Sequence, residues 1–224
     1  MDVRPGAGCA HAGPVIITPV SEFASALHKQ EVDPDPVRQF AAWFGDATAA
    51  GVPAPEAMAV ATASIDAQPS VRMVLMKHFD ERGFVFYTNY ESRKARELEA
   101  NPRAALLFHW ELLGRQVRIE GAAERTTLEE TAEYVRTRPR ESQLSALASP
   151  QSQVIGSREV LERRMVEIAA RYEGSELPLP EAWGGFRVRP DSFEFWQRRP
   201  GRFHDRLRYR RDDDARWVVQ RLAP

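Results

Sequence analysis

The chain has 224 residues, of which 43% are hydrophobic and 28% are charged, as is ordinary for a globular protein. Its 31 basic and 32 acidic side chains give a net charge of -1, which excludes the broad positive field of a nucleic-acid-binding surface. The single cysteine, Cys9, excludes an internal disulfide, and no apolar run approaches the ~18 residues of a membrane span. These features predict a cytoplasmic protein that binds neither nucleic acid nor a membrane.

The N-terminal segment differs in composition from the rest of the chain. Residues 1–32 are rich in Gly, Ala and Pro, and we predict a flexible arm there, followed by one domain over residues 33–224. Asp35 and Pro36 are typical of a helix start, and aromatic residues then repeat at helical spacing to about Ala50. The domain therefore begins with a helix.

The remaining elements follow from hydrophobic pattern and turn residues. Short β-rich runs predict strands at Ala57–Ser64, Ser70–Lys77, Gly83–Thr88, Arg103–Glu111, Gly114–Arg125, Phe186–Val188, Ser192–Gln197, Leu207–Tyr209 and Trp217–Leu222. Helical patterns cover Arg93–Ala100, Leu128–Arg138, Ser142–Ala148 and Ser157–Tyr172. Many short strands with a few helices between them predict a mainly β fold with α insertions (α+β), built as a closed or nearly closed barrel.

Several familiar kinds of site are absent from the sequence. There is no glycine-rich phosphate loop, dinucleotide fingerprint, HExxH motif or pair of CxxC motifs. Five scattered histidines and one cysteine predict no metal site. Any phosphate group must therefore be bound by side chains rather than by a glycine-rich loop.

Basic residues gather near the second and third predicted strands. Arg72 and Lys77 bracket the second strand, and Ser92, Arg93 and Lys94 open the helix after the third. Cations and free N–H groups at a helix start suit a phosphate, although a solvated helix start has the same composition. Strict alternation puts Arg72 and Lys77 on opposite faces of the strand, so either a bulge intervenes or the two contact different parts of a ligand.

Two further groups combine arginines with other polar or aromatic residues. Tyr134 and Arg138 share one helix face, with Ser142 just beyond; they suit a phosphate monoester, or an exposed helix end with arginines at its negative pole. Near the C-terminus, Trp196, Arg202, His204 and Arg206 could clamp a flat phosphorylated heteroaromatic ligand. The same residues would also suit a solvated arginine-rich hairpin with one buried tryptophan.

Taken in order, these residues resemble the pyridoxine (pyridoxamine) 5′-phosphate oxidase family. The resemblance extends from about Asp33 to Pro224. Its motifs are Arg72 to Lys77, Phe86-Tyr87-Thr88-Asn89, Ser92-Arg93-Lys94, Arg115-Gln116-Val117, Arg138-Pro139-Arg140, Gln151-Ser152, Trp183-Gly184-Gly185-Phe186, Glu194-Phe195-Trp196-Gln197 and Arg202-Phe203-His204-Asp205-Arg206.

The resemblance implies an FMN-binding split β-barrel of Greek-key type, working as a homodimer with FMN between the subunits. By this analogy FMN is contacted by Arg72, Met73, Val74, Leu75, Met76, Lys77, Tyr87, Thr88, Arg93, Lys94, Gln116, Gln151, Ser152, Trp196 and Arg206. The substrate is contacted by Lys77, Tyr134, Arg138, Ser142, Arg202, Phe203 and His204. Arg202 and His204 are the implied catalytic pair over the pyridine ring.

The implied activity is the oxidation of pyridoxine or pyridoxamine 5′-phosphate to pyridoxal 5′-phosphate, with O₂ as acceptor and H₂O₂ as by-product. Two alternatives remain: an oxidase of the same fold acting on another planar substrate such as a phenazine precursor, and a non-catalytic flavin- or pyridoxal-phosphate-binding module. The sequence departs from the family in lacking an Arg-x-x-Tyr motif in residues 1–32, in Ala54 at an acidic position, and in Arg198-Arg199 at a glycine-bearing turn.

Overall fold

The computed structural model of the chain describes residues 26–224. Within this range the helices are α1 (Pro36–Ala49), α2 (Arg93–Ala100), α3 (Leu128–Thr137), α4 (Arg140–Ala148) and α5 (Arg158–Arg171). The strands are β1 (Ala57–Ala63), β2 (Pro69–Leu75), β3 (His78–Asp80), β4 (Gly83–Asn89), β5 (Arg103–Trp110), β6 (Arg115–Arg125), β7 (Trp183–Gln197), β8 (Asp205–Arg211) and β9 (Trp217–Leu222). None of these helices is both long and apolar enough to cross a membrane.

The strands described here form one antiparallel sheet, in the order β2-β1-β5-β6-β7-β4-β3. Strand β7 is the centre of this arrangement. Its first half pairs with β4, its second half pairs with β8, and β6 runs along most of its length. Strand β9 continues the sheet from β8. The prediction of a mainly β fold with α insertions is confirmed.

The long strand β7 corrects one prediction, which placed two separate strands at Phe186–Val188 and Ser192–Gln197. The sequence between them contains Pro190, which lacks the N–H that a ladder needs. In the structure the register of β6 against β7 shifts beside Gly121, which faces Pro190. A Cβ on Gly121 would lie 1.9 Å from the carbonyl oxygen of Arg189. The proline is therefore tolerated at a bulge, where a glycine on the neighbouring strand leaves room.

The core lies between helix α1 and the concave face of the sheet. Phe40 of α1 is fully buried and meets Phe79, Phe84 and Phe108 edge-on, with ring centroids 4.8 to 5.0 Å apart. These three rings come from β3, β4 and β5, so the sheet curls around one helix. Edge-to-face pairs of this kind add to the stability gained from burial alone.

The predicted flexible arm lies mainly outside the described residues, which begin at residue 26. Its last part is described and contacts the sheet. The backbone N–H of Leu27 donates to the Asp205 carboxylate at 3.1 Å, the carbonyl oxygen of Leu27 accepts from Arg221, and the Leu27 side chain is buried. The start of the described chain is thereby joined to β8 and β9.

Candidate functional site

Lys94 lies at the centre of the first group of predicted side chains. We call Arg72, Thr88, Ser92, Lys94 and Gln151 the Lys94 cluster. The Lys94 ammonium lies 2.9 Å from Thr88 Oγ1, 2.9 Å from Gln151 Oε1 and 3.3 Å from Ser92 Oγ. Burial of the ammonium, and then the charge of Arg72, lowers the pKa of Lys94 to about 8. Neutral oxygens surround the charge, and none of them neutralises it.

The turn from β4 into α2 places this cluster. Ser92 is the N-cap of α2, and its hydroxyl accepts from the Ala95 N–H at 3.4 Å. Lys94 follows in the first turn, while Thr88 is the penultimate residue of β4. The free N–H groups and the positive dipole end of the helix add to the ammonium charge.

The Arg72 guanidinium is fixed beside a buried carboxylate, that of Glu97. Arg72 donates to Thr62 Oγ1 at 2.6 Å and lies 3.4 Å from Glu97 Oε2. Arg93 approaches the same carboxylate at 2.8 Å. Burial would raise the pKa of Glu97, but hydrogen bonds from Ser70, Thr62 and Arg93 outweigh it and lower the pKa to about 2. Glu97 is therefore an ionised group that orients two arginines.

The charge balance of this region fits a phosphate. Among the described residues, Arg72, Arg93 and Lys94 bring three positive charges around the single carboxylate of Glu97. A phosphate monoester carries about two negative charges at neutral pH. The surplus of two positive charges matches it, and the residues present therefore fit the phosphate end of FMN.

The second group, the Trp196 cluster, consists of Gln116, Trp196 and Arg206. Gln116 pairs with Trp196 across β6 and β7, and Trp196 pairs with Arg206 across β7 and β8. Residues directly opposite one another share a face of the sheet, so the three lie side by side around a cavity of about 210 Å³. Glu194 holds Arg206 through contacts of 2.7 and 3.1 Å. An amide, an indole and a guanidinium are thereby presented together.

His204 joins the Trp196 cluster from the loop before β8. Its ring centroid lies 4.5 Å from that of Trp196, and its Nδ1 accepts from the Arg199 N–H at 3.2 Å. The neutral ring therefore carries its proton on Nε2. Burial, followed by the charges of Arg198 and Arg202, lowers the pKa of His204. The ring is mainly neutral at pH 7 and offers an N–H donor.

The same loop presents Arg202 and Phe203 outward. Arg202 has a φ of +63°, in the left-handed region that non-glycine residues seldom adopt, and Phe203 is 79% exposed. Arg198, where the sequence departs from the family, binds the Glu111 carboxylate through both oxygens. Arg198 is thus accommodated by an ion pair with the residue that directly follows β5.

A third group lines a cavity of about 450 Å³, which we call the Tyr134 cavity. Its walls include Lys77, Tyr87, Tyr134, Glu130 and Arg187. The rings of Tyr87 and Tyr134 are stacked, 3.9 Å between centroids and 11° between planes. Burial, followed by the charge of Glu130, raises the pKa of Tyr87 to about 12. Both hydroxyls are therefore hydrogen-bonding groups rather than anions at neutral pH.

The structure shows why strand alternation does not relate Lys77 to Arg72. Strand β2 ends at Leu75, two residues earlier than predicted, and the Lys77 N–H then donates to Val85 of β4 at 2.8 Å. Lys77 has left the strand, so alternation no longer applies to it. Arg72 belongs to the Lys94 cluster and Lys77 to the Tyr134 cavity, which favours contacts with different parts of a ligand.

Arg138 is not part of the cavity lining, but it reaches the aromatic rings beside it. Its guanidinium covers the Trp183 ring at 4.5 Å, and Trp183 is stacked in turn on Tyr134. Arg138 Nη1 is buried and has no hydrogen-bond partner among the described residues. Burial lowers the pKa of Arg138. A buried cationic N–H without an acceptor fits an anionic ligand; Ser142 lies in the first turn of α4, outside the cavity lining.

The predicted FMN set does not form one group within a single chain. Tyr87 faces the Tyr134 cavity rather than Lys94. Met73 and Leu75 point outward from β2 and are 65% and 42% exposed, and Ser152 is exposed with a φ of +68°. Val74 is half-buried and Met76 is buried in the core. No hydrogen bond recorded for the described residues links the Lys94 cluster to the Trp196 cluster.

Three charged residues at these sites were not predicted as site residues from the sequence. Glu97 could have been found, because it lies four residues after Arg93 on the same helix face. Glu194 lies in the motif Glu194-Phe195-Trp196-Gln197, but its contact with Arg206 arises only from the pairing of β7 with β8, which the sequence does not reveal. Arg187 gave no local signal, since its partners are 57 and 107 positions away.

Comparison with known proteins shows which family the chain belongs to. The family model described as pyridoxamine 5′-phosphate oxidase matches residues 44–172, more than half of the chain. The chain belongs to this family. Residues 183–224 match the pyridoxine 5′-phosphate oxidase C-terminal dimerisation region, which supports a homodimer.

Curated members of the pyridoxamine 5′-phosphate oxidase family match most of the chain. The pyridoxine/pyridoxamine 5′-phosphate oxidase of Rubrobacter xylanophilus is 56% identical over 200 residues, covering 89% of this chain and 92% of the relative. The protein of the same name from Salinibacter ruber is 53% identical over 206 residues, covering 91% and 96%. The resemblance seen in the motifs is confirmed.

Solved structures confirm the split-barrel fold. PhzG from Burkholderia lata, in complex with tetrahydrophenazine-1-carboxylic acid, matches with a TM-score of 0.84 and 32% identity, covering 91% of this chain and 100% of that one. An FMN-binding, pyridoxamine 5′-phosphate oxidase-related protein from Nostoc punctiforme matches with a TM-score of 0.66 and 18% identity, covering 85% and 98%. The second likeness concerns the fold alone.

Proposed function

We propose that this protein is an FMN-dependent oxidase that converts pyridoxine or pyridoxamine 5′-phosphate to pyridoxal 5′-phosphate, reducing O₂ to H₂O₂. With the amine, water supplies the aldehyde oxygen and the nitrogen leaves as ammonia. The observation that carries the proposal is the presence of two separate cationic regions, around Lys94 and around Arg138, each of which suits a phosphate. One suits a phosphorylated flavin and the other a phosphorylated substrate. Relatives at 53% to 56% identity bear the name of this activity.

The Lys94 cluster holds the FMN phosphate together with Arg93 and Ser152. Arg72, Arg93 and Lys94 supply charge, and Thr88, Gln151 and Ser152 add hydrogen bonds. The Trp196 cluster contacts the rest of the cofactor through Gln116, Trp196 and Arg206. The segment Arg72–Lys77, which runs from β2 into the turn after it, also lines the cofactor. FMN, when bound, would supply the hydride acceptor and the redox chemistry with O₂. The task of the chain is to hold the two reactants in register.

The substrate phosphate is bound by Lys77, Tyr134, Arg138 and Ser142. The stacked Tyr87 ring holds the Tyr134 hydroxyl in place, and Arg138 donates its buried Nη1. Arg202, Phe203 and His204 cover the pyridine ring of the substrate. The neutral His204 donates from Nε2, and the Arg202 guanidinium would stabilise the negative charge of the reduced flavin. Together these contacts orient the substrate carbon from which hydride leaves.

The direct experiment is an aerobic assay on purified, flavin-loaded protein. The protein should be yellow and should release FMN on denaturation, and pyridoxine 5′-phosphate should yield an aldehyde and H₂O₂ in equal amounts. Pyridoxamine 5′-phosphate and a dihydrophenazine carboxylate are run in parallel, because a neighbour at 32% identity binds a phenazine-type ligand. Turnover of the phenazine compound alone would replace the proposed substrate. A colourless protein that does not bind added FMN would refute the proposal altogether.

Each FMN lies between two subunits, one giving its Lys94 cluster and the partner giving its Trp196 cluster. This arrangement agrees with the exposed Met73 and Leu75 beside Arg72. It also predicts complementation between Lys94→Met and Arg206→Ala chains. Each homodimer should bind FMN weakly at both sites. A mixed dimer should regain one tight site, since both substitutions then fall in the other site. Flavin titration after co-refolding measures this; a site formed within one chain would give no recovery.

A further inference from the structure

Arg187 joins three separate elements of the fold beneath the Tyr134 cavity. It lies on β7, is 4% exposed, and lines the cavity with Lys77 and Tyr134. Its Nη1 contacts Asp80 of β3 at 3.0 Å, and its Nη2 contacts Glu130 of α3 at 2.7 Å. A buried, doubly paired guanidinium is a rigid link, because its planar fork fixes both partners.

The two acids are held as anions by this link and by Arg82. Arg82 contacts Asp80 at 2.9 Å and Glu130 at 3.2 Å from the solvent side, where it is 63% exposed. Burial would raise the pKa of Asp80, but hydrogen bonds from Arg82 and His78 and the charge of Arg187 lower it. Burial would likewise raise the pKa of Glu130, but the hydrogen bond from the Thr127 N–H and the charges of Arg187 and Arg82 lower it.

Glu130 has a second contact that transmits the position of Arg187 to helix α3. Its Oε2 accepts from the Thr127 N–H at 3.1 Å, closing the capping box that begins the helix. Its Oε1 accepts from Arg187. Tyr134 lies one turn further along on the same face, stacked on Tyr87. The start of α3, and with it Tyr134, is therefore fixed by one carboxylate.

We propose that Arg187 is a positioning residue for the substrate phosphate. Acting through Glu130, it holds α3 against the β3–β4 hairpin so that Tyr134 stands across the cavity from Lys77. The inference rests on the proposed function for the identity of the phosphate. Within residues 26–224, no residue of the Lys94 cluster hydrogen-bonds Asp80 or Glu130, so binding of the FMN phosphate should not depend on Arg187.

Removal of Arg187 should act on binding more than on chemistry. Without it, Asp80 and Glu130 lose their shared buried partner, and α3 is free to shift. A misplacement of about 1 Å in a binding group can cost up to ~10²-fold in rate or affinity. The pyridine ring contacts from Arg202 and His204 come from the β7–β8 loop and stay in place. A higher KM with nearly unchanged kcat is the result expected.

The test compares Arg187→Gln and Arg187→Lys with wild type, all flavin-loaded. We expect KM for pyridoxine 5′-phosphate to rise about 10-fold or more in Arg187→Gln, with kcat within about 2-fold and FMN content unchanged. Arg187→Lys, which can pair with one acid at a time, should recover part of the loss. The matched control is Arg189→Gln, two residues along β7, where an exposed arginine pairs with Glu124. Its KM should equal that of wild type.

Equilibrium titration with pyridoxal 5′-phosphate and with inorganic phosphate separates this inference from the proposed function. Wild type that binds these ligands without turning over the substrate would refute the function, while a weaker Kd in the variants would still support the positioning role. A folded Arg187→Gln with wild-type KM and Kd would overturn the role. The role would also be overturned if kcat, kcat/KM and FMN content all fell together, because that result indicates a general loss of structure. If Arg187→Gln does not fold, the same criteria apply to Arg187→Lys.

Discussion

Replacing Arg202 with alanine is expected to lower kcat/KM for pyridoxine 5′-phosphate about 100-fold, while the protein keeps its full content of FMN. Among the described residues Arg202 has no carboxylate partner, and its backbone is held in the left-handed region at φ +63°. Such a conformation costs of order 1–3 kcal/mol and persists where the surrounding structure imposes it. The loop therefore holds the Arg202 backbone in an unfavourable conformation and presents a guanidinium without a carboxylate partner beside His204.

FMN binding should survive the substitution, because Arg202 belongs to neither the Lys94 cluster nor the Trp196 cluster. Its guanidinium does lie close enough to lower the pKa of His204, after burial and Arg198. In Arg202→Ala the pKa of His204 should therefore rise, and the acid limb of the pH–rate profile should move to higher pH. Steady-state kinetics between pH 5 and 9 measure both effects on one sample.

Two companion variants sharpen the interpretation of Arg202. Arg202→Lys keeps the charge and should retain the wild-type acid limb, though not the bidentate contacts of a guanidinium. Arg210→Ala removes an exposed arginine from β8 and should leave kinetics unchanged. Wild-type kinetics in Arg202→Ala would remove Arg202 from the site. Loss of FMN together with turnover would mean that the loop supports the flavin instead.

The features that the sequence could predict are those with a short range. Helix α2 spans the predicted residues because a Ser92 cap and an Asn101-Pro102 stop lie within ten positions of each other. The hairpin of β5 and β6 is equally predictable, because apolar and polar residues alternate along β6. Motif resemblance then identified the family, and with it the fold, which periodicity alone left as a barrel of unspecified closure.

What the sequence could not predict depends on pairing between distant segments. The end of β2 at Leu75 is set when Lys77 pairs with Val85, and β7 is continuous because Gly121 of another strand makes room at Pro190. The only local signal of Glu97 is its spacing of four residues from Arg93, and nothing in the sequence pairs Glu194 with Arg206. The burial of these two acids against Arg72 and Arg206 appears only when the strands are paired.

Replacing Lys94 with methionine is expected to weaken FMN binding about 100-fold, because loss of one partner of a buried charge contact costs about 2–5 kcal/mol. The flavin-free protein should respond in the opposite direction. Its Lys94 is buried among neutral oxygens, and this lowers the pKa to about 8. An ammonium in such a place destabilises the folded state, so Lys94→Met should be the more stable flavin-free protein at neutral pH. Flavin fluorescence titration and urea unfolding measure the two effects.

The control for Lys94→Met is Arg96→Met, which removes an exposed cation from the same helix. Its guanidinium donates to the Glu91 carbonyl oxygen and does not face the cluster. FMN affinity should therefore stay within about 2-fold of wild type. An FMN dissociation constant for Lys94→Met that equals the value for this control would exclude Lys94 from the phosphate site.

The lowered pKa of Lys94 also fixes the sign of two pH dependences. Between about pH 8 and the ordinary value of 10.5, the folded flavin-free protein has released this proton while the unfolded chain still holds it, so stability contributed by this group rises with pH. A bound phosphate favours the charged ammonium, so FMN binding above about pH 8 takes up a proton and its affinity falls as pH rises. Both slopes should vanish in Lys94→Met. An FMN affinity that is equally pH-independent in wild type and variant would show that the phosphate is held by Arg72 and Arg93 alone.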